Sequence, residues 1–213
     1  MIAWAIVVAA GRGTRFGGPK QFERLEGRTL LEWSVSAARS SCQGVVVALP
    51  EPRPPAGALA GLEGCRLVSG GATRSESVRA GLAEVPEEAD AVVVHDAVRP
   101  LAGRALFEAV LGALEAGAEA AVPCVEPPDT LKRVGEGLVV ATLPRGEVVC
   151  AQTPQAFRAG LLRRAHSGAA QASDDAALVE ALGVPVAVVE GDPANLKVTA
   201  PADLDVVRCL ARR

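Results

Sequence analysis

From Ala9 to Gln21 the chain reads Ala-Ala-Gly-Arg-Gly-Thr-Arg-Phe-Gly-Gly-Pro-Lys-Gln, so four glycines, Arg12, Arg15 and Lys20 share one short loop. Glycine lets a backbone approach a ligand closely and turn amide donors toward it. Cations beside such donors suit a polyphosphate. Residue type excludes two common phosphate loops. The dinucleotide fingerprint needs a third glycine where Phe16 stands, and a ring there would obstruct close strand–helix packing. The P-loop needs Lys-Ser/Thr directly after its second glycine. Gly13 and Gly18 have the right spacing, but Pro19 follows Gly18 and Gln21 replaces the hydroxyl residue. What remains is Gly-x-Gly-x-Arg with Pro-Lys-Gln beyond it.

Two further stretches carry chemistry-bearing residues. His95-Asp96-Ala97-Val98-Arg99-Pro100 follows an apolar run and sets a carboxylate beside a guanidinium, which is either a loop ion pair or a site for sugar hydroxyls and a phosphate. Gly70-Gly71-x-x-Arg74-x-x-Ser77 puts another glycine pair ahead of a helical pattern. Lysine occurs only at 20, 132 and 197, so it does not serve as generic surface charge.

Together these stretches resemble the nucleotidyltransferases that join a sugar or polyol phosphate to a nucleotide. The Pro19-Lys20-Gln21 form is similar to that of the 2-C-methyl-D-erythritol 4-phosphate cytidylyltransferase family, and His95–Pro100 resembles that family's His-Asp-Ala-x-Arg-Pro. The resemblance implies CTP binding by Ala9, Ala10, Gly11, Gly13, Arg15, Lys20, Gly71, Arg74 and Ser77. It implies that Asp96, Arg99, Thr130, Arg145, Thr153, Ser173 and Lys197 bind the polyol phosphate, although Ser173 stands where the family usually has threonine. Charge neutralisation in catalysis would fall to Arg15, Lys20, Arg145 and Lys197. Mg²⁺ would bridge the triphosphate and be held mainly by phosphate and water, with no protein ligand assigned. His95 is expected to be structural, because phosphate acceptors are already anionic.

The elements that must position these residues alternate. Apolar runs at Ile2–Val8, Gly44–Leu49, Arg66–Ser69, Ala91–Val94, Glu119–Pro123, Val148–Ala151 and Val186–Glu190 read as strands. Helical spacing appears over Leu30–Arg39 with Thr29 as cap, Ser75–Val85, Arg104–Ala116, Ala159–His166 and a closing helix from Pro201. Gln152–Phe157 reads as a loop, and Ser173 as the cap of a helix beginning with two acids. The alternation predicts an α/β, Rossmann-like domain over 1–213, with a mostly parallel central sheet and helices on both faces. Thr130–Val134 and Leu138–Leu143 flank Gly135-Glu136-Gly137, a β-hairpin signal. That hairpin predicts a protruding arm over about 126–147, whose exposed edges call for a second subunit. The resemblance likewise implies a homodimer.

Composition narrows the function classes. Of the 213 residues 49% are hydrophobic and mean hydropathy is +0.25, which fits a filled core rather than disorder. Net charge −3 disfavours a nucleic-acid binder. Five scattered cysteines without C-x-x-C argue against a disulfide framework or zinc site. No apolar run is long enough to span a bilayer and no signal peptide is evident, so a cytoplasmic enzyme is expected.

Overall fold

Strand β1 (Ala3–Val8) lies at the centre of the sheet, buried on both faces. Its residues divide with period two. Ala3, Ala5 and Val7 join one apolar cluster and Ile6 joins the other. The computed structural model describes residues 1–212, so the domain end drawn at Arg213 lies outside the described residues. After β1 come a short hairpin of β2 (Arg24–Leu25) and β3 (Arg28–Thr29), then helix α1 (Leu30–Arg39) and β4 (Gly44–Leu49). Next are β5 (Arg66–Ser69), α2 (Arg74–Glu84), β6 (Ala91–Asp96), α3 (Arg104–Glu115) and β7 (Ala120–Val125). An isolated hairpin follows, β8 (Lys132–Gly135) with β9 (Leu138–Thr142). The chain then forms β10 (Cys150–Ala151), β11 (Gln155–Arg158), α4 (Ala159–Ala165), α5 (Asp175–Glu180), β12 (Ala187–Glu190) and α6 (Pro201–Ala211).

The main sheet runs β10-β7-β11-β6-β1-β4-β5, with β12 parallel to β7. β6, β1, β4 and β5 are parallel neighbours. Chain order reverses at β1: β4 and β5 build outward on one side, β6 and β7 on the other. Open α/β sheets form a ligand crevice at such a reversal, beyond the carboxyl ends of the strands. The loops after β1 and β6 therefore converge there.

Helices α1 and α3 cover one face of the sheet, and α2, α4 and α5 the other. The stripe Leu106, Val110, Leu111 and Leu114 of α3 is buried as its spacing predicts, and Phe107 beside it is fully enclosed. Each such side chain contributes roughly 1.5–3 kcal/mol by leaving water. Thr29 caps α1 in a capping box with Glu32.

Two expectations need correction. Gln155–Phe157, the end of the segment read as loop, belongs to strand β11 (Gln155–Arg158), antiparallel between β6 and β7. Pro154 and the lack of alternation mask it, because both of its edges and faces are satisfied only by tertiary neighbours. The cap of α5 is Asp174, whose carboxylate accepts the Ala177 N–H at 3.1 Å, rather than Ser173. The hairpin β8–β9 forms where expected, turning at Glu136 and Gly137, both at positive φ (51° and 81°).

Candidate active site

The loop leaving β1 folds back on Gly13. The amides of Phe16, Gly17 and Gly18 all donate to Gly13 O, at 2.9, 3.0 and 3.2 Å. These three donors are spent on the turn itself. Gly13 has φ +65°, and a Cβ there would sit 1.8 Å from Gly18 O, so only glycine fits. Gln21, buried at 2%, clamps the loop: its Nε2 donates to Ala9 O at 2.7 Å and to Gly11 O at 3.2 Å. Its place beside Lys20 was a signal in the motif, yet residue type alone assigns it no role.

The second wall is the turn Gly70–Thr73 and the first turn of α2. Thr73 caps α2 in a box with Glu76. The Ser77 hydroxyl donates to Thr73 O at 2.9 Å and accepts from Gly71 N at 3.1 Å. Its one proton is used, so it can offer a ligand only an acceptor, which suits an exocyclic amino group. Gly70 packs against the first loop, since a Cβ there would lie 2.3 Å from Ala10 Cβ.

Asp96, the last residue of β6, joins the two walls. Its Oδ2 lies 2.7 Å from Lys197 Nζ and 3.9 Å from Arg99 Nε, and its Oδ1 lies 3.3 Å from Arg74 Nε. Burial alone would raise its pKa, but Arg74, Lys197 and Arg99 together outweigh that and hold the carboxyl well below the usual range. Arg74 is pushed upward: burial opposes its charge, but Asp175 and Asp96 more than offset it. Lys20 is lowered, first by burial and then by Lys197 and Arg15. Like charges gathered at one spot, in excess of the carboxylates present, mark a site awaiting an anion.

A cleft of about 480 Å³ opens between these walls. Among the expected nucleotide residues Ala9, Ala10, Gly11, Gly13, Arg15, Lys20, Gly71, Arg74 and Ser77 all line it. Asp96 and Lys197 line it too. The remaining acceptor residues do not. Arg99 is turned to Asn195 O at 2.7 Å. Thr153 is buried, and its hydroxyl accepts the Asp96 N–H at 3.1 Å and pairs with His95 Nδ1 at 3.0 Å, so it supports the site rather than facing a ligand. Thr130 and Ser173 do not line it, Thr130 being exposed on the arm and Ser173 preceding α5. Arg145 is exposed on the arm, with its guanidinium near Pro127 O and Pro128 O at 3.5 and 3.4 Å. His95 is structural as expected: it is fully buried, packed edge-on against Phe107, and lowered by burial to about pKa 4.

Among the described residues no group of three or more His, Cys, Asp or Glu could hold a metal. The carboxylates lining the cleft are Asp96 and Glu51, and Asp96 is engaged by three cations. This donor set fits a divalent ion carried in by a polyphosphate and its waters, not a dedicated protein cage.

The chain matches the family model for 2-C-methyl-D-erythritol 4-phosphate cytidylyltransferase (IspD) over residues 3–213. It is 43% identical to the Thermus thermophilus protein of that name, over 97% of this chain and 96% of that one. It is 41% identical to the Nocardia farcinica protein of the same name, over 98% of this chain and 94% of that one. The crystal structure of the Thermus thermophilus enzyme superposes with a TM-score of 0.82 at 41% identity and 98% coverage of both chains. That of 4-diphosphocytidyl-2C-methyl-D-erythritol synthase from Anaerococcus prevotii gives 0.86 at 27% identity, covering 100% of this chain and 99% of that one.

Proposed function

Because the chain belongs to the 2-C-methyl-D-erythritol 4-phosphate cytidylyltransferase family, we propose that the cleft between β1 and β6 is where it performs that family's reaction. The enzyme transfers CMP from CTP to 2-C-methyl-D-erythritol 4-phosphate in isoprenoid biosynthesis, releasing pyrophosphate. A phosphate oxygen of the acceptor attacks the α-phosphorus of CTP. A new P–O bond forms, and the α–β bridging oxygen leaves with its electron pair on pyrophosphate.

The barrier is chiefly electrostatic, since a phosphate must approach a triphosphate. Fixed cations placed where charge develops offset that repulsion without reorganising. Arg15 and Lys20 are assigned to the triphosphate, Lys197 to the attacking phosphate. The supporting observation is that Lys20 and Lys197, from opposite ends of the chain, line one cleft, with Lys20 Nζ donating to Thr199 O at 3.4 Å, two residues beyond Lys197. Ser77 and the Gly70–Gly71 backbone are assigned to the base. Mg²⁺, when bound through the triphosphate, would screen charge and help align the leaving group.

Arg145, Thr130 and Ser173 do not line this cleft within one chain. The arm carries Val134, Leu138, Val139 and Val140, each 57–71% exposed. Such a patch on an isolated hairpin supports a homodimer in which the arm reaches a second subunit and brings Arg145 to an acceptor phosphate. No helix among the described residues is long and apolar enough to cross a membrane. A cytoplasmic location is part of the proposal.

The test is pyrophosphate release from CTP against a panel of polyol phosphates that includes ribitol 5-phosphate. Release with 2-C-methyl-D-erythritol 4-phosphate well above the others is expected. Preference for another polyol would reassign the acceptor, and no release with any would end the proposal.

A further inference from the structure

Behind the cleft lies a buried pair, Asp175 with His166, that the reaction as described does not use. Arg74, the first residue of α2, gives its Nη1 to Asp175 Oδ2 at 2.6 Å and its Nε to Asp96 Oδ1 at 3.3 Å. Asp175 is fully buried at the start of α5, and its other oxygen lies 2.9 Å from His166 Nε2. An ionised carboxylate can only accept, so Nε2 carries the proton there. His166 is itself 4% exposed, and its Nδ1 has no hydrogen-bond partner among the described residues. The contacts run His166–Asp175–Arg74–Asp96–Lys197, from between α4 and α5 to the cleft.

Charge counting shows what Asp175 does. Asp96 alone faces Arg74, Arg99 and Lys197. Asp175 supplies a second negative charge on the side of Arg74 away from the cleft. It holds the guanidinium back, so that Arg74 meets Asp96 through Nε alone and leaves Oδ2 for Lys197. Without that restraint Arg74 would turn two of its three guanidinium nitrogens onto Asp96 in the bidentate geometry such groups favour, displacing Lys197.

We infer that Asp175, oriented by His166, is a positioning residue for catalysis: it fixes Arg74 and thereby sets where Asp96 holds the Lys197 ammonium. Asp175 touches no substrate. A purely structural role would use the same contacts, but it would not link Asp175 to Lys197, which it does not touch.

The inference rests on the proposed role of Lys197, and the measurement separates the two. Wild-type pyrophosphate release with CTP and 2-C-methyl-D-erythritol 4-phosphate tests the function first. Then kcat is measured for Asp175→Asn, Lys197→Ala and the double variant, with Tm recorded for each. Asp175→Asn is expected to lower kcat about tenfold, and Asp175→Glu to recover part of the loss. In the double variant the two losses should fall short of multiplying, by about fivefold or more. Independent, multiplying losses would overturn the inference, as would wild-type kcat in Asp175→Asn. Should Asp175→Asn fail to fold, the cycle is run with Asp175→Glu, which keeps the charge but displaces it, and multiplying losses there overturn the inference equally.

Discussion

Lys197 Nζ sits 2.7 Å from Asp96 Oδ2, joining the segment after the last strand to the end of β6. The carboxylate is nearly buried, whereas the Lys197 side chain remains 42% exposed and lines the cleft. Asp96 thus holds a cation in place without consuming it. Asp96→Asn is expected to destabilise the fold by about 3 kcal/mol or more, because it strands buried cationic groups around an uncharged amide. Urea denaturation would show this, and a midpoint shift near zero would mean the cations relax into water.

Acid stability should depend on His95. Burial lowers its folded pKa to about 4 from an ordinary 6.5, with Arg99 and Arg74 acting the same way and Asp96 opposing. Between those values the unfolded chain binds the extra proton. The stability is therefore fully present above about pH 6.5 and is lost as pH falls toward 4, by roughly 3 kcal/mol in all. Asp96, with its lowered pKa, adds loss in the same direction at lower pH. Denaturation midpoints between pH 4 and 7 would show the slope, and His95→Gln should flatten it.

The alkaline limb of activity should belong to Lys20. Burial, Lys197 and Arg15 lower its pKa from 10.5, so its charge is lost as pH rises through that lowered value. In kcat/KM for CTP the limb should fall below pH 10.5, since the free enzyme sets it. Lys20→Arg, which stays charged, should retain partial activity and push the limb upward. An unmoved limb would assign it to another group.

Gln21→Ala should loosen the nucleotide loop. It strands the carbonyls of Ala9 and Gly11, at a cost of about 1–3 kcal/mol where they are shielded from water. KM for CTP should rise more than KM for the acceptor. Equal effects on both would mean that Gln21 supports the cleft generally.

The parts of the site that follow one strand were legible in the residues. The glycines and cations after β1 and the Asp96 turn after β6 carry local signals, and the sheet reversal brings them together. Strand β11 was not legible, because Pro154 and a mixed polar–apolar run identify it as strand only through β6 and β7. Asp175 reads from sequence as one more acid in a helical first turn, and its partner Arg74 comes from a different helix. Thr153 was placed at the ligand by resemblance, yet its hydroxyl is committed to Asp96 and His95. Arg145 lies exposed on the arm and does not line the cleft, and its proposed meeting with a second subunit is written in no local pattern.

Removing a single cation tests most directly whether clustered positive charge carries the catalysis. Turnover of Lys20→Ala, measured by pyrophosphate release at saturating CTP and 2-C-methyl-D-erythritol 4-phosphate, should fall about 10²-fold, or ~3 kcal/mol of barrier. Its Tm should stay close to that of the parent enzyme. A turnover number near that of the parent would contradict the account.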